Sequence, residues 1–340
     1  MELTSYSNIS NAIEHSQKVV QQVSGIIKSK QSTFNDYICV FIVGSYGRFE
    51  AYSHSDIEWL VVFDDAKVGI QEANIFQAQI TESIAGVVGR DRISIGKTFG
   101  EVVALSALIT NIGGIADTSR TLTYRILCLA EGTPLERNKC YYTILSKLAH
   151  VYGDSHTAGH RLLSFATDIS RYWRTLRIDY KQKVDELKQP WALRGFKLRC
   201  VRRCWYFSLV LHFIVFGPRL KSDSNGKAIN AFEYNDIKNF MLTLSENPSV
   251  RIKNAIDNIK NEDSFCLMNK LLRLYDGYYN VINDFDARQS LDALNFEDRY
   301  QNRTYLSLRE ICAEMHSTMA DIVISLPDYH RRQAIEMFLL

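Results

Sequence analysis

The sequence predicts an α+β protein, with a small mixed β-sheet first and a long all-helical region after it. Two short apolar runs rich in β-branched residues, 38–43 and 59–63, stop at glycine or acidic residues, as buried strands do. A third run, 92–95, stops at a glycine. The second half has apolar residues at helical spacing almost throughout. Because 340 residues correspond to about two domains, we expect a sheet-containing domain at 1–135 and an α-helical domain at 136–340.

The helices of the first half follow from apolar periodicity and from the residues that end them. Residues 8–30 and 74–88 have the spacing of amphipathic helices, and a connecting helix is expected between the first two strands. A further helix is predicted to be capped by Asp117 and stopped by Gly132. These elements describe a small α/β unit that precedes the helical region.

Composition excludes several protein classes. The chain is 46% hydrophobic and 23% charged, which is ordinary globular usage. We see no secretory leader pattern, and the longest apolar run, 205–216, is shorter than the roughly 20 residues that a membrane helix needs. We therefore expect a cytoplasmic protein with no membrane partner.

The seven cysteines are scattered along the chain. Five of them, Cys39, Cys128, Cys200, Cys204 and Cys266, lie in apolar or helical contexts and are expected to be buried thiols in a reducing compartment. Cys200 and Cys204 are one helical turn apart, but no second pair with zinc spacing accompanies them. We expect no zinc site.

The chemistry-bearing stretch lies between the first two predicted strands. Gly44 and Gly47 bracket Ser45, so the first strand ends where the backbone can turn tightly and present amides and a hydroxyl to an anion. Asp56 and Glu58 are two residues apart at the start of the second strand, so both side chains leave the same face. Adjacent carboxylates repel unless a cation lies between them. Mg²⁺ is the expected cation, because it prefers carboxylate, water and phosphate oxygens.

This order of strand, Gly-Ser turn, acidic pair and second strand resembles the DNA polymerase β nucleotidyltransferase superfamily. Gly47 and Arg48 after the turn, and Ser55 directly before Asp56, make the version here similar to the kanamycin nucleotidyltransferase and PII uridylyltransferase-type catalytic domains. The match is local, and from about residue 136 onward we can name no motif. The resemblance implies a sheet-containing nucleotidyltransferase domain followed by a helical domain.

The implied reaction transfers a nucleoside monophosphate from a nucleoside triphosphate to a hydroxyl acceptor, with release of pyrophosphate. Asp56 and Glu58 would be catalytic metal ligands for two Mg²⁺ ions, with Mn²⁺ as an alternative metal. Gly44, Ser45 and Gly47 would bind the phosphates of the nucleotide, and so would Arg48, unless it is only a surface ion-pair partner of Glu50.

Family members commonly have a third catalytic carboxylate on a later strand. Asp91 is the candidate here because it opens the third predicted strand, with Glu101 and Glu131 as fallbacks. The alternative is that Asp91 is an ordinary surface acid at a strand end.

The helical domain is expected to supply cations. The net charge of the chain is only +2, which argues against a generic nucleic-acid binder, but basic residues far outnumber acidic ones between 171 and 203. Arg194 and Lys197 are three residues apart and share a helix face. We predict that Arg171, Arg194 and Lys197 face the triphosphate or an anionic acceptor. The alternative is a solvated surface with intrahelical salt bridges.

The acceptor is left open by the sequence. A protein or a small molecule is favoured by the two resemblances, whereas an RNA or a second nucleotide, as in cyclic-dinucleotide synthesis, is less favoured because of the modest charge. A different class of function is a catalytically inert module that senses nucleotides or binds a partner.

Overall fold

The structure is a computed structural model. It describes residues 3–30, 36–93, 100–110, 112–154, 162–218 and 233–338. The fold is α+β, as predicted, with one small mixed sheet among many helices. No helix in these ranges is long and apolar enough to cross a bilayer.

The chain forms two compact units. The sheet unit consists of Ala12–Asp168 and Gly217–Asn247, and the helical unit consists of Met1–Asn11, Ile169–Phe216 and Pro248–Leu340. This division differs from the boundary at residues 135 and 136, which stays a prediction.

Helix α6 (Lys139–Asp154) explains the difference. It lies beyond the predicted boundary, yet Tyr141 contacts Phe41 of the sheet, with 6.0 Å between the ring centroids. Tyr234 in turn donates a hydrogen bond to Asp154 at the end of α6, at 2.7 Å. These contacts assign α6 and the segment after residue 217 to the sheet unit.

The sheet has four strands in the order β3-β2-β1-β4. Strands β1 (Ile38–Val43) and β2 (Glu58–Phe63) are antiparallel, which confirms the two strongest strand predictions. Strand β3 (Val102–Ala104) is parallel to β2, and β4 (Thr133–Pro134) is antiparallel to β1. The sheet is therefore mixed.

The third strand was predicted at 92–95, and this prediction falls partly on residues outside the described part of the chain. Within 92–95, Ile93 makes one isolated parallel bridge to Ile57, and residues 94–99 lie outside the described part of the chain. The strand that pairs with β2 along a ladder is β3, ten residues later, which is only three residues long. So short a run has no detectable periodicity.

Side-chain alternation separates the two faces of β2. Ile57, Trp59 and Val61 are fully buried in one hydrophobic cluster, which also contains residues of the first and third helices. Glu58 therefore points to the opposite face. Asp56 lies two residues before Glu58, so the same alternation would put its side chain on that face too. Asp56 is exposed and Glu58 is half-buried, which agrees with the prediction that they share a face.

The remaining helices of the first half are α1 (Ser7–Lys30), α2 (Gly44–Gly47), α3 (Ile70–Val88), α4 (Leu105–Ile109) and α5 (Ser119–Ile126). The predicted helices at 8–30 and 74–88 are confirmed, whereas the helix expected between the strands is only the single turn α2. Thr118, not Asp117, caps α5, because its hydroxyl accepts from the Thr121 amide at 3.2 Å. A π-helical segment, Leu127–Glu131, continues α5 to the predicted stop at Gly132.

Asp117 has a different role, in a buried ionic network of the sheet unit. Its carboxylate accepts two hydrogen bonds from Arg125, at 3.0 and 3.1 Å. Arg125 also donates to Asp168 at 2.8 Å and to the Tyr152 hydroxyl at 2.9 Å. The Arg125 side chain is fully buried, so its two carboxylate partners compensate the loss of hydration.

The second half is helical, as predicted. Its helices after α6 are α7 (Leu163–Asp185), α8 (Trp191–Phe196), α9 (Arg203–Phe216), α10 (Tyr234–Thr243), α11 (Pro248–Ile259), α12 (Glu262–Asn283), α13 (Phe285–Asp292), α14 (Arg303–Ser325) and α15 (Asp328–Phe338). A π-helical segment, Lys197–Arg202, joins α8 to α9. In α9, His212 is buried, and burial together with Arg251 lowers its pKa to about 3.

The cysteine prediction is partly wrong. Cys39, Cys128 and Cys204 are buried thiols, as expected, but Cys266 is exposed. Cys200 forms a disulfide with Cys312, which is 112 residues away. No sequence pattern pairs these two cysteines, because only the packing within the helical unit brings them together.

Candidate functional site

The glycine turn directly follows β1. Gly44 has a φ of +68°, a left-handed conformation that favours glycine. A Cβ atom added at Gly44 would lie 2.0 Å from Oε2 of Glu58. At Gly47, an added Cβ would lie 2.4 Å from the carbonyl oxygen of Ile42 and 2.6 Å from that of Glu131. Gly47 is therefore required by close backbone contacts, whereas Gly44 is favoured by its left-handed conformation and lies next to a predicted metal ligand.

The β-sheet register brings the turn and the acidic pair together. Val43, the last residue of β1, lies opposite Glu58, the first residue of β2. Ser45 is half-buried, whereas its neighbours Gly44 and Tyr46 are buried, so its hydroxyl is the more accessible group of the turn. The end of β1 therefore combines a tight turn, a serine hydroxyl and two carboxylates that solvent can reach.

The third carboxylate expected for the reaction is not assembled with the first two. Among the described residues, no three His, Cys, Asp or Glu side chains form a group that could hold a metal ion. Asp91 is exposed in a 3₁₀ turn, Arg90–Arg92, and does not open a strand. Asp91 therefore lies in a turn before Ile93, and its role as the third carboxylate stays a prediction.

The two fallback acids lie in contrasting places. Glu131 is buried and paired with Arg48 at 2.6 Å. Glu101 directly precedes β3, and because Val102 pairs with Val61, Glu101 neighbours Leu60 on the face of Glu58. Its carboxylate forms an ion pair with Arg120 at 3.0 Å. Of the three candidate acids, Glu101 is therefore the one that lies on the same sheet face as Glu58, at the start of a strand next to β2.

Arg48 is part of a buried ionic triad. Its Nε lies 2.7 Å from Glu50 and its Nη1 lies 2.6 Å from Glu131, and all three side chains are at most 5% exposed. The alternative of a surface pair with Glu50 is therefore wrong. Two buried carboxylates engage the guanidinium, and the contact between Arg48 and the nucleotide stays a prediction. Through its ion pair with Glu131, Arg48 links the turn to the π-helical segment Leu127–Glu131.

The three predicted cations of the helical domain lie in the helical unit. Arg171 on α7 and Arg194 on α8 are half-buried, and Lys197 is exposed where α8 passes into the π-helical segment. On α7, Lys183 and Asp179 form an exposed ion pair four residues apart at 2.7 Å, as the alternative interpretation of this basic stretch expected. The proposed phosphate contacts of Arg171, Arg194 and Lys197 stay a prediction.

Sequence reasoning missed a second set of residues beside the acidic pair. Tyr46, inside the turn, is fully buried, and its hydroxyl accepts a hydrogen bond from Arg92 at 2.6 Å. The ring of His15 lies 3.3 Å from the same hydroxyl. Burial and then Arg92 lower the pKa of His15. No sequence pattern links these three residues, since they come from α1, the turn and the segment before β3.

In comparisons with known proteins, no family model, curated protein or solved structure matches the chain. The geometry at the end of β1 is accordingly the basis for a functional assignment. Gly44 lies against Glu58, and the register places Glu58, two residues after Asp56, beside the end of β1. Such an arrangement can bind a divalent cation and the phosphates that the cation coordinates.

Proposed function

We propose that the chain is a metal-dependent nucleotidyltransferase of the DNA polymerase β type, with the sheet unit as its catalytic domain. It transfers a nucleoside monophosphate from a nucleoside triphosphate to a hydroxyl acceptor and releases pyrophosphate. The supporting observation is the pairing of Val43 with Glu58, which brings the glycine turn and the acidic pair to one place. A turn for phosphates beside carboxylates for a metal is what this reaction requires.

The donor set fits Mg²⁺. Asp56 and Glu58 supply hard oxygen ligands on one face, and Mg²⁺ completes its shell with water and phosphate oxygens when a protein offers only one or two carboxylates. Mn²⁺ would bind the same donors. When bound, the metal neutralises charge on the phosphates during displacement.

The protein residues position the reactants for an in-line displacement at the α-phosphorus. In the proposed complex, the turn from Gly44 to Gly47 and the Ser45 hydroxyl hold the β- and γ-phosphates. The acceptor oxygen forms a bond to the α-phosphorus while the bond to the β-bridging oxygen breaks, so pyrophosphate leaves. The acceptor proton goes to a base, for which Glu101 is better placed than Asp91, because it lies on the face of Glu58.

The first experiment measures pyrophosphate release with each nucleoside triphosphate, Mg²⁺ and cell lysate as the source of acceptor. Asp56→Asn and Glu58→Gln are each expected to reduce release at least about 100-fold, the scale seen when a charge-stabilising group is removed. Asp91→Asn, an exposed acid outside the pair, is the matched control and should stay near the wild-type rate. Equal loss in all three variants would contradict the assignment of the metal ligands.

The acceptor is identified by following the label. With an α-phosphate-labelled triphosphate, radioactivity in protein or in small molecules supports the favoured acceptors, whereas label in RNA or in a dinucleotide supports the others. If the helical unit contacts the triphosphate, Arg194→Ala with Lys197→Ala, and separately Arg171→Ala, should raise the KM for the triphosphate. An unchanged KM in folded variants would remove these residues from the site.

A second candidate function is a nucleotide-binding module without turnover. It is favoured by one observation, the lack of a three-acid metal group among the described residues. Nucleotide binding by the wild type without pyrophosphate release, under all conditions above, would support it.

A further inference from the structure

We infer that Arg92 is a positioning residue that holds the segment bearing Asp56 against the Gly44–Gly47 turn. This inference deepens the proposed function and rests on it, because it assigns the group that keeps the metal ligand Asp56 and the phosphate-binding turn in fixed relative positions. Arg92 belongs to neither feature and had no assigned role in the sequence.

Arg92 contacts the chain on both sides of Asp56. Its Nη2 donates to the carbonyl oxygen of Ser55 at 2.9 Å, and its own carbonyl oxygen accepts from the amide of Ile57 at 2.9 Å. Asp56 precedes the first residue of β2, so the β1–β2 ladder does not hold it directly. The two bonds from Arg92 supply the missing restraint on the peptide groups that flank Asp56.

The same guanidinium nitrogen reaches the turn. Nη2 of Arg92 lies 2.6 Å from the hydroxyl oxygen of Tyr46, a buried residue that lies between Ser45 and Gly47 in the sequence of the turn. Burial raises the pKa of the Tyr46 hydroxyl, the positive charge of Arg92 opposes this effect, and the negative charge of Asp56 adds to it. The hydroxyl therefore lies within the electrostatic influence of both groups, and the Tyr46–Arg92 bond joins the turn to the acidic segment.

The contact pattern suits arginine, because its planar group holds the donating nitrogen in a fixed direction. A guanidinium has five N–H donors in a planar fork, whereas a lysine ammonium is a point charge on a flexible stem. Arg92 uses Nη2 for two acceptors and its main chain for a third contact. Lysine would keep the charge and the main-chain bond but would lose the fixed geometry.

The test compares Arg92→Lys, Arg92→Gln and Tyr46→Phe with Arg90→Gln. Arg90 lies in the same 3₁₀ turn, but its side chain is 78% exposed and pairs with the exposed Glu82. Mn²⁺ binding to the full chain is measured by electron paramagnetic resonance, and kcat and KM for Mg²⁺ and triphosphate are measured from pyrophosphate release. Asp56→Asn identifies which bound Mn²⁺ belongs to the acidic pair.

Arg92→Gln is expected to weaken Mn²⁺ binding at the pair about 10-fold or more, the scale for groups that orient metal ligands. It should also raise the Mg²⁺ concentration needed for half-maximal rate. Arg92→Lys should fall between Gln and wild type, Tyr46→Phe should weaken binding less than Gln, and Arg90→Gln should match wild type. Tyr46→Phe added to Arg92→Gln should have little further effect, because both remove the same bond.

Wild-type Mn²⁺ affinity in folded Arg92→Gln and Tyr46→Phe variants would overturn the inference, as would the absence of Mn²⁺ binding that depends on Asp56 in the wild type. If Arg92→Gln does not fold, the milder Arg92→Lys and Tyr46→Phe decide by the same readout. Mn²⁺ binding that depends on Arg92, in a wild-type protein that releases no pyrophosphate, would support the inference while rejecting the proposed transferase activity.

Discussion

Replacing Arg48 by methionine tests the buried triad of Arg48, Glu50 and Glu131. Methionine keeps most of the volume and removes the charge, which leaves two carboxylates that are at most 2% exposed without their cation. Breaking a buried ion pair by removing one partner costs about 3–5 kcal/mol, because the remaining charge is buried and uncompensated. A domain of ordinary stability has only about 5–15 kcal/mol in total. We therefore expect a loss of at least about a fifth of the stability.

The chain contains a matched control. Arg90 and Glu82 also form a pair with an N to O distance of 2.7 Å, but their side chains are 78% and 60% exposed. Such surface pairs contribute about 0–1 kcal/mol, so Arg90→Met should be nearly neutral. Urea unfolding followed by circular dichroism gives both values. Hydrogen exchange of the β1 and β2 peptides shows whether the loss is in the sheet unit.

A second variant separates charge burial from packing. Arg48→Met combined with Glu50→Gln and Glu131→Gln removes all three charges and should recover most of the lost stability. The reasoning is refuted if Arg48→Met costs no more than Arg90→Met. If Arg48→Met is stable but binds nucleoside triphosphate more weakly, the sequence prediction of a nucleotide contact is the better one.

Three further outcomes are expected. Gly44→Ala should leave a folded protein that is destabilised by about 1–2 kcal/mol, because alanine disfavours the left-handed conformation of this residue. The variant should release no pyrophosphate, because the new Cβ atom displaces the Glu58 carboxylate. Wild-type turnover would contradict this expectation. The lowered pKa of His212 means that the unfolded chain binds a proton first, so as pH falls below about 6.5 the free energy of unfolding should drop by up to about 1.4 kcal/mol per unit. His212→Asn should reduce this slope, and an unchanged slope in a folded variant would contradict the expectation. Reduction of the disulfide, or Cys200→Ser, should lower the free energy of unfolding by about 2–5 kcal/mol, because the disulfide closes a long loop. Equal urea midpoints with and without reductant would show that the disulfide does not stabilise the fold.

Local features of the sheet unit could be predicted from the sequence. Strands β1 and β2 are continuous apolar runs, and the two glycines lie between them, so their order follows from neighbouring residues. The shared face of Asp56 and Glu58 follows from strand alternation alone. These predictions needed no knowledge of distant contacts.

Other features depend on contacts between distant residues and had no local signal. Glu131 was an acid near the end of a predicted helix, and only the fold shows that it neutralises Arg48, 83 residues earlier. The link from Arg92 to Tyr46 spans 46 residues and carries no motif. Asp91 was chosen because a strand was expected to open there, whereas Asp91 lies in a 3₁₀ turn that contacts between distant residues shape.

The alternation along β2 has a consequence for how the protein tolerates change. A one-residue shift of β2 against β1 would turn the acidic face toward the hydrophobic cluster and move Trp59 to the opposite face. Ile57 and Trp59 touch no proposed ligand, yet their burial disfavours the one-residue shifts that would turn the two carboxylates inward. Insertions or deletions within the strand should thus abolish metal binding even when every acidic residue is retained, so for this protein the apolar residues of β2 belong among the determinants of activity.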